Sequence, residues 1–201
     1  MEKINRKRLN NKGFTLIELL AVVVILAVVM GIAMTSVLSS MNNSRKGSLQ
    51  NSAKKVSQAL QTKYSEAMVT NSTTDVYGDV LGTNDGFDFS VSSFTIYTIP
   101  NGLKDEMNLS PSTYVLDSAA NPMAATGTNT YTASTSFVAF DGDTMVVCLF
   151  AKQGGSYYVG DATKAAGTVT IGSNTITMDT DTTSTTNADM WACSTDGTQS
   201  W

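Results

Sequence analysis

The chain has 201 residues, 42 % of them apolar, with 15 Gly and only 3 Pro, enough for one anchor and one modest domain. It contains no histidine, which excludes His-based zinc sites, Ser-His-Asp triads and papain-like Cys-His pairs. The formal net charge of −4 conceals a segregation: residues 1–12 hold five basic groups against Glu2, the stretch Leu19 to Ser65 holds five more and no acid, and from Glu66 onward three lysines face fifteen acids. This pattern predicts a basic rod carrying an acidic head, and an acidic head is a poor ligand for nucleic-acid phosphates.

After the basic leader comes "KGFTLIELLAVVVILAVVMGIAM", in which Leu19 to Met34 is an unbroken run of 16 residues without a polar side chain. A helix from Phe14 to Leu38 would be roughly 37 Å long at about 1.5 Å per residue, sufficient for a hydrocarbon core of about 30 Å. The basic residues before it favour a cytoplasmic N-terminus. A secretory signal peptide fits poorly, because the run is long and no small-x-small cleavage site follows. A plain anchor explains everything except Glu18. A carboxylate inside a membrane helix costs at least about 2.5–3.5 kcal/mol and usually has a partner. No Lys or Arg lies within one turn of Glu18 inside the run. Cutting the chain between Gly13 and Phe14 would create a positive α-amino group at Phe14, and a neighbouring helix offset by about one turn, roughly 6 Å, could bring that amine to Glu18.

The residues Gly13, Phe14, Thr15, Leu16, Glu18 and Leu19, in this order before an apolar helix, closely resemble the processing site of type IV pilins and related pseudopilins. The resemblance covers about the first quarter of the chain. It implies a leader, residues 1–13, removed after Gly13 by a membrane prepilin peptidase, N-methylation of Phe14, and Glu18 as the residue of subunit assembly. It also implies a homo-oligomeric helical filament, an assembly platform with its ATPase, and no cofactor. Many members carry a Pro about twenty residues into the mature helix; here Gly31 to Ser36 contains none. Gly weakens a helix by about 1 kcal/mol relative to Ala, against roughly 3 kcal/mol for Pro.

Beyond the apolar run, Leu49, Ala53, Val56, Leu60, Tyr64 and Met68 recur at spacings of three or four, predicting that the helix continues with one core-facing stripe. The expected helix covers 14–69, and "TNSTTD" at 70–75 ends it. The pattern then turns to strands. "FDFSVSSFTIYTIP" alternates up to Pro100, "TSFVAFDGDTMVVCLFAKQGGSYYVG" reads as three strands, and "TVTIGSNTITMD" reads as a hairpin around Gly172-Ser173-Asn174. Residues 180–189, "TDTTSTTNAD", read as low-complexity loop. The expected fold is α+β: a long N-terminal helix packed against an antiparallel sheet head over 70–201.

Cys148 and Cys193 are the only cysteines. In an exported chain an even count points to a disulfide, with two buried thiols as the alternative. The resemblance adds weight to the bond, since many type IV pilins staple the C-terminal part of the head. Asp141 with Asp143, and Asp179 with Asp181, lie in Gly- or Thr-rich turns where Asp is expected without a metal, and neither has the length or closing Glu of an EF-hand loop. Asp105-Glu106 reads as solvated charge. No catalytic residue and no metal site is expected.

Three functions compete. One is a structural subunit of a surface filament serving adhesion, twitching motility, aggregation or DNA uptake. A second is a pseudopilin of a type II secretion or competence system. The third is an exported head on a permanent anchor, which requires an uncut leader. The chain is expected in the cytoplasmic membrane first and at the cell surface after assembly.

Overall fold

The computed structural model describes residues 14–70, 87–88, 94–103, 107, 109–141, 144–152, 167–179 and 188–194. Its elements are one helix, α1 (Leu16–Thr70), a short 3-10 turn (Asn101–Leu103) and seven strands. The strands are β1 (Thr95–Thr98), β2 (Thr130–Ala133), β3 (Phe137–Asp141), β4 (Thr144–Lys152), β5 (Gly167–Ile171), β6 (Asn174–Met178) and β7 (Ala188–Cys193). The chain divides into two compact units, residues 1–42 and 43–201.

In the first unit α1 presents apolar side chains on every side. Leu16, Ile17, Leu19, Val22 and Ile25, which point around the whole helix, are all exposed, which leaves them to be covered by lipid or by other chains. It is the helix among the described residues that is long and apolar enough to cross a membrane. The helix runs unbroken past Gly31, where a Cβ would meet nothing within 4 Å, so this glycine is not required by packing within the chain.

The second unit contains the outer part of α1, which is rich in Ser and Thr, residues that compete with the helix backbone for hydrogen bonds. Here their hydroxyls fold back along the helix. Ser52 donates to the Ser48 carbonyl (3.1 Å), Thr62 to Gln58 (3.0 Å) and Ser65 to Gln61 (2.8 Å). The apolar stripe turns inward: Leu49, Ala53, Val56 and Leu60 are buried, and Tyr64 and Ala67 pack at the margin. Met68, which the spacing placed on the same stripe, is 58 % exposed because the helix ends two residues later at Thr70.

The stripe packs on a four-stranded sheet of order β1-β3-β4-β7, antiparallel throughout. The other face of that sheet is covered by a three-stranded sheet of order β2-β6-β5. Strand alternation therefore separates two cores. Along β4, Met145, Val147, Leu149 and Ala151 face the helix, while Val146, Cys148 and Phe150 face the second sheet. A strand buried on both faces has no reason to alternate polar residues, which explains the continuous "MVVCLFA". In β3, Val138 and Phe140 take the helix side, and Phe137 and Ala139 the other. Tyr64 meets the Phe140 ring edge-on, with centroids 5.1 Å apart.

The α+β layout holds, with a long helix and an antiparallel sheet, but several expectations change. The smaller sheet contains a parallel pair, β2 with β6, where one antiparallel sheet was expected. In the stretch expected to alternate up to Pro100, the described strand is only Thr95–Thr98, with Phe87 in an isolated bridge. The third strand expected after Lys152 lies outside the described residues, as do Asp143, Asp181 and Asp105-Glu106. Ala188 and Asp189 begin β7 instead of ending a loop, because their segment pairs antiparallel with β4. The hairpin is as expected. Ile171 pairs with Asn174 around Gly172-Ser173, and Gly172 has φ +60°, fitting the II′ pattern with Gly first.

Two polar clusters tie the loops to the sheets. Ser136 is fully buried yet satisfied: its Oγ accepts from the Phe150 N–H (2.9 Å), its N–H donates to the Val115 carbonyl and its carbonyl accepts from Ile99. Asp117 Oδ2 accepts from Thr98 Oγ1 (2.9 Å) and Asn121 Nδ2 (3.1 Å), and Oδ1 accepts from the Ser118 N–H (2.7 Å). Partial burial pushes this carboxyl up, but the hydrogen bonds from Asn121, the Ser118 backbone, Thr98 and the Ser118 hydroxyl outweigh it and hold the pKa below the ordinary value.

Candidate functional site

The first four unpaired N–H groups of a helix need acceptors, and a Thr followed three residues later by Glu supplies them reciprocally. Thr15 and Glu18 form this arrangement at the start of α1. Glu18 Oε2 accepts from both the Thr15 backbone N–H (2.9 Å) and the Thr15 hydroxyl (2.9 Å). In return the Glu18 N–H donates to Thr15 Oγ1 (3.3 Å), and the Leu19 N–H closes the first turn on the Thr15 carbonyl (3.2 Å). Glu18 thus has a partner inside its own chain, Thr15, rather than a Lys or Arg. The sequence signal for this partner is "TLIE" directly before an apolar run, the Thr-x-x-Glu pattern of a capping box.

Both hydrogen bonds fall on Oε2. Oε1 is left to face the surroundings of an exposed side chain. Phe14, 90 % exposed, precedes the cap and lies one helical turn from Glu18; the two border one shallow groove with Leu19, Ala21 and Val22. Gly13 lies outside the described residues.

Cys148 and Cys193 are disulfide-bonded, with Cα atoms 4.0 Å apart. They are direct partners across β4 and β7. The Ser194 N–H donates to the Val147 carbonyl, which makes the cysteines a non-hydrogen-bonded pair, the position where side chains of opposed strands approach most closely. Both are fully buried between the sheets, beside Trp191 and Phe150. Among the described residues no group of three His, Cys, Asp or Glu side chains is placed to hold a metal.

Residues 8–34 match the family model of the prokaryotic N-terminal methylation motif. The match spans Gly13, Phe14, Thr15 and Glu18 and most of the apolar run. Neither the curated proteins nor the solved structures contain a significant match to the chain. The leader motif and the apolar helix point to membrane anchoring of a precursor processed by prepilin peptidase. The methylation motif, together with an α+β layout consistent with the pilin fold, supports a type IV pilin-like prepilin.

Proposed function

We propose that the chain is a structural, non-catalytic subunit of a type IV pilus, matured by cleavage between Gly13 and Phe14 and N-methylation of Phe14. On this reading 1–13 is the leader, 14–69 the helix that sits first in the cytoplasmic membrane and then in the filament core, and 70–201 the surface-exposed head. The partners are copies of the same chain, the prepilin peptidase and the assembly platform with its ATPase. The single observation that carries the reading is the methylation-motif match over residues 8–34, directly at the start of a helix whose apolar side chains are uncovered.

The geometry at Glu18 supports its role in assembly. Thr15 engages Oε2 and holds the carboxylate at the helix start, and Oε1 remains for the Phe14 ammonium of a neighbouring copy. In a site of low polarity that pairing matters because either charge left alone is costly.

Shearing cells that express the wild type and Glu18→Ala, then quantifying this chain in the released filaments, tests the proposal. The wild type should be recovered in filaments. Glu18→Ala should insert in the membrane and keep its folded head yet incorporate poorly. Wild-type amounts of filament from Glu18→Ala would remove the carboxylate from the assembly mechanism.

A further inference from the structure

The smaller sheet carries one sequence pattern three times. β2 contains Thr130-Tyr131-Thr132, β5 contains Thr168-Val169-Thr170 and β6 contains Thr175-Ile176-Thr177. In each strand the middle residue packs toward the inner core, so strand alternation sends both threonines to the opposite face. The registers then line them up. Thr130, Thr175 and Thr170 form one row across β2, β6 and β5, and Thr132, Thr177 and Thr168 form a second. Neighbours in such a sheet stand roughly 4.8 Å apart across strands and roughly 6.7 Å apart along them. Thr130, Thr132, Thr170 and Thr177 are exposed, and Thr168 and Thr175 are half-buried.

Strand propensity favours Thr at any one of these positions but does not account for all six. β2 and β5 are the edges of this sheet, where proteins commonly place Lys or another charge against chance pairing, yet none of its three strands contains a charged residue. Among the described residues this face is also the outer layer of the head. α1 packs on one side of the four-stranded sheet, and the smaller sheet covers the other side with its threonines turned away from both. A Thr side chain is stiff at χ1, so the array holds hydroxyls and methyls on a grid before any partner arrives.

Such a grid suits a partner that is itself flat, uncharged and repeating, with a hydrogen-bond donor or acceptor at each point. A charged ligand finds no counter-charge in these strands. A crystalline polysaccharide calls for aromatic rings against its sugar faces, and Tyr131, the aromatic residue of the three strands, turns inward to Phe94, with ring centroids 5.3 Å apart. A water lattice needs neither charge nor ring. Each Thr hydroxyl can donate and accept as a lattice water does, and the methyl beside it takes a gap between waters. The two repeats of the array lie close to the oxygen repeats on a prism face of ice. We propose that the six-threonine face of β2, β6 and β5 is an ice-binding surface. It requires only the folded head and stands apart from the filament reading.

The test is ice partition of the full-length chain in detergent micelles, with ice grown slowly on a cold probe in the stirred solution. The wild type should be enriched several-fold in the ice relative to an unrelated micellar protein and to Thr170→Lys/Thr177→Lys, whose long charged side chains interrupt both rows. Far-UV circular dichroism of that variant should match the wild type, because both sites are exposed. A second pair on β2, Thr130→Lys/Thr132→Lys, should lose ice binding in the same way, so a folding failure of one pair leaves the other to decide. Wild-type chain excluded from ice like the unrelated protein, or folded variants enriched as strongly as the wild type, overturns the proposal. Retention of the wild type on microcrystalline cellulose or chitin, lost in the variants and without enrichment in ice, would assign the face to a polysaccharide and also overturn it.

Discussion

On the proposed reading, Glu18 serves two stages, first in the helix cap with Thr15 and then in assembly. The cap satisfies the helix start within the chain, and because Thr15 follows the Gly13–Phe14 bond, the proposed cleavage would leave it intact. Thr15→Val removes the hydroxyl that both donates to and accepts from Glu18, so the carboxylate keeps its charge but is held by the Thr15 backbone N–H alone. The expected outcome is a normally inserted chain with less filament than wild type and more than Glu18→Ala, measured in sheared fractions. Asp117 gives a residue-scale prediction in the head. Its folded pKa is lowered, so its contribution to stability is present above the unfolded carboxyl value and is lost as pH falls through the folded one. Asp117→Asn should flatten that acid limb of stability. Thr98→Val, which removes one donor to Oδ2, should move the limb to higher pH; both are measurable by thermal melts across an acid pH series.

At the scale of elements, the helix stripe and the hairpin were readable in the sequence because each rests on local physics: a spacing of three to four for α1, and a Gly whose positive φ starts a two-residue turn. Leu60→Ala should cost about 2–5 kcal/mol, since Leu60 is fully buried between α1 and the sheet. Gly172→Ala should cost about 1–2 kcal/mol from its positive-φ backbone, with the Asp141 carboxylate, whose Oδ2 would lie 2.5 Å from the new Cβ, turning aside. Denaturant titration of the detergent-solubilised chain reads both. The elements the sequence did not reveal are those whose existence depends on distant partners. β2 is four residues of Thr-rich chain that become a strand by pairing in parallel with β6, and β7 begins inside apparent low-complexity sequence because β4 has an edge to fill. The two-layered core was equally hidden, since a strand buried on both faces carries no period to read. The capping box was legible and was missed.

For the whole molecule, the layout joins an apolar helix that its own chain leaves uncovered to a head stapled deep inside. The disulfide closes a separation of 45 residues between β4 and the end of β7, a constraint on the unfolded chain that the loop-entropy relation puts at about 4 kcal/mol. Reduction should therefore lower the melting temperature of the head. Alkylation without reductant should label neither cysteine, even in denaturant. On the proposed reading the chain is a precursor matured at one bond, so that Phe14 becomes the new terminus beside Glu18. Intact-mass measurement of the protein purified from its own cells tests it most directly. The predicted N-terminus is Phe14 with one methyl group on its amine, and the predicted mass lies two hydrogens below that of the reduced protein for the Cys148–Cys193 bond. A cellular protein that still carries residues 1–13, or that begins at any residue other than Phe14, would contradict it.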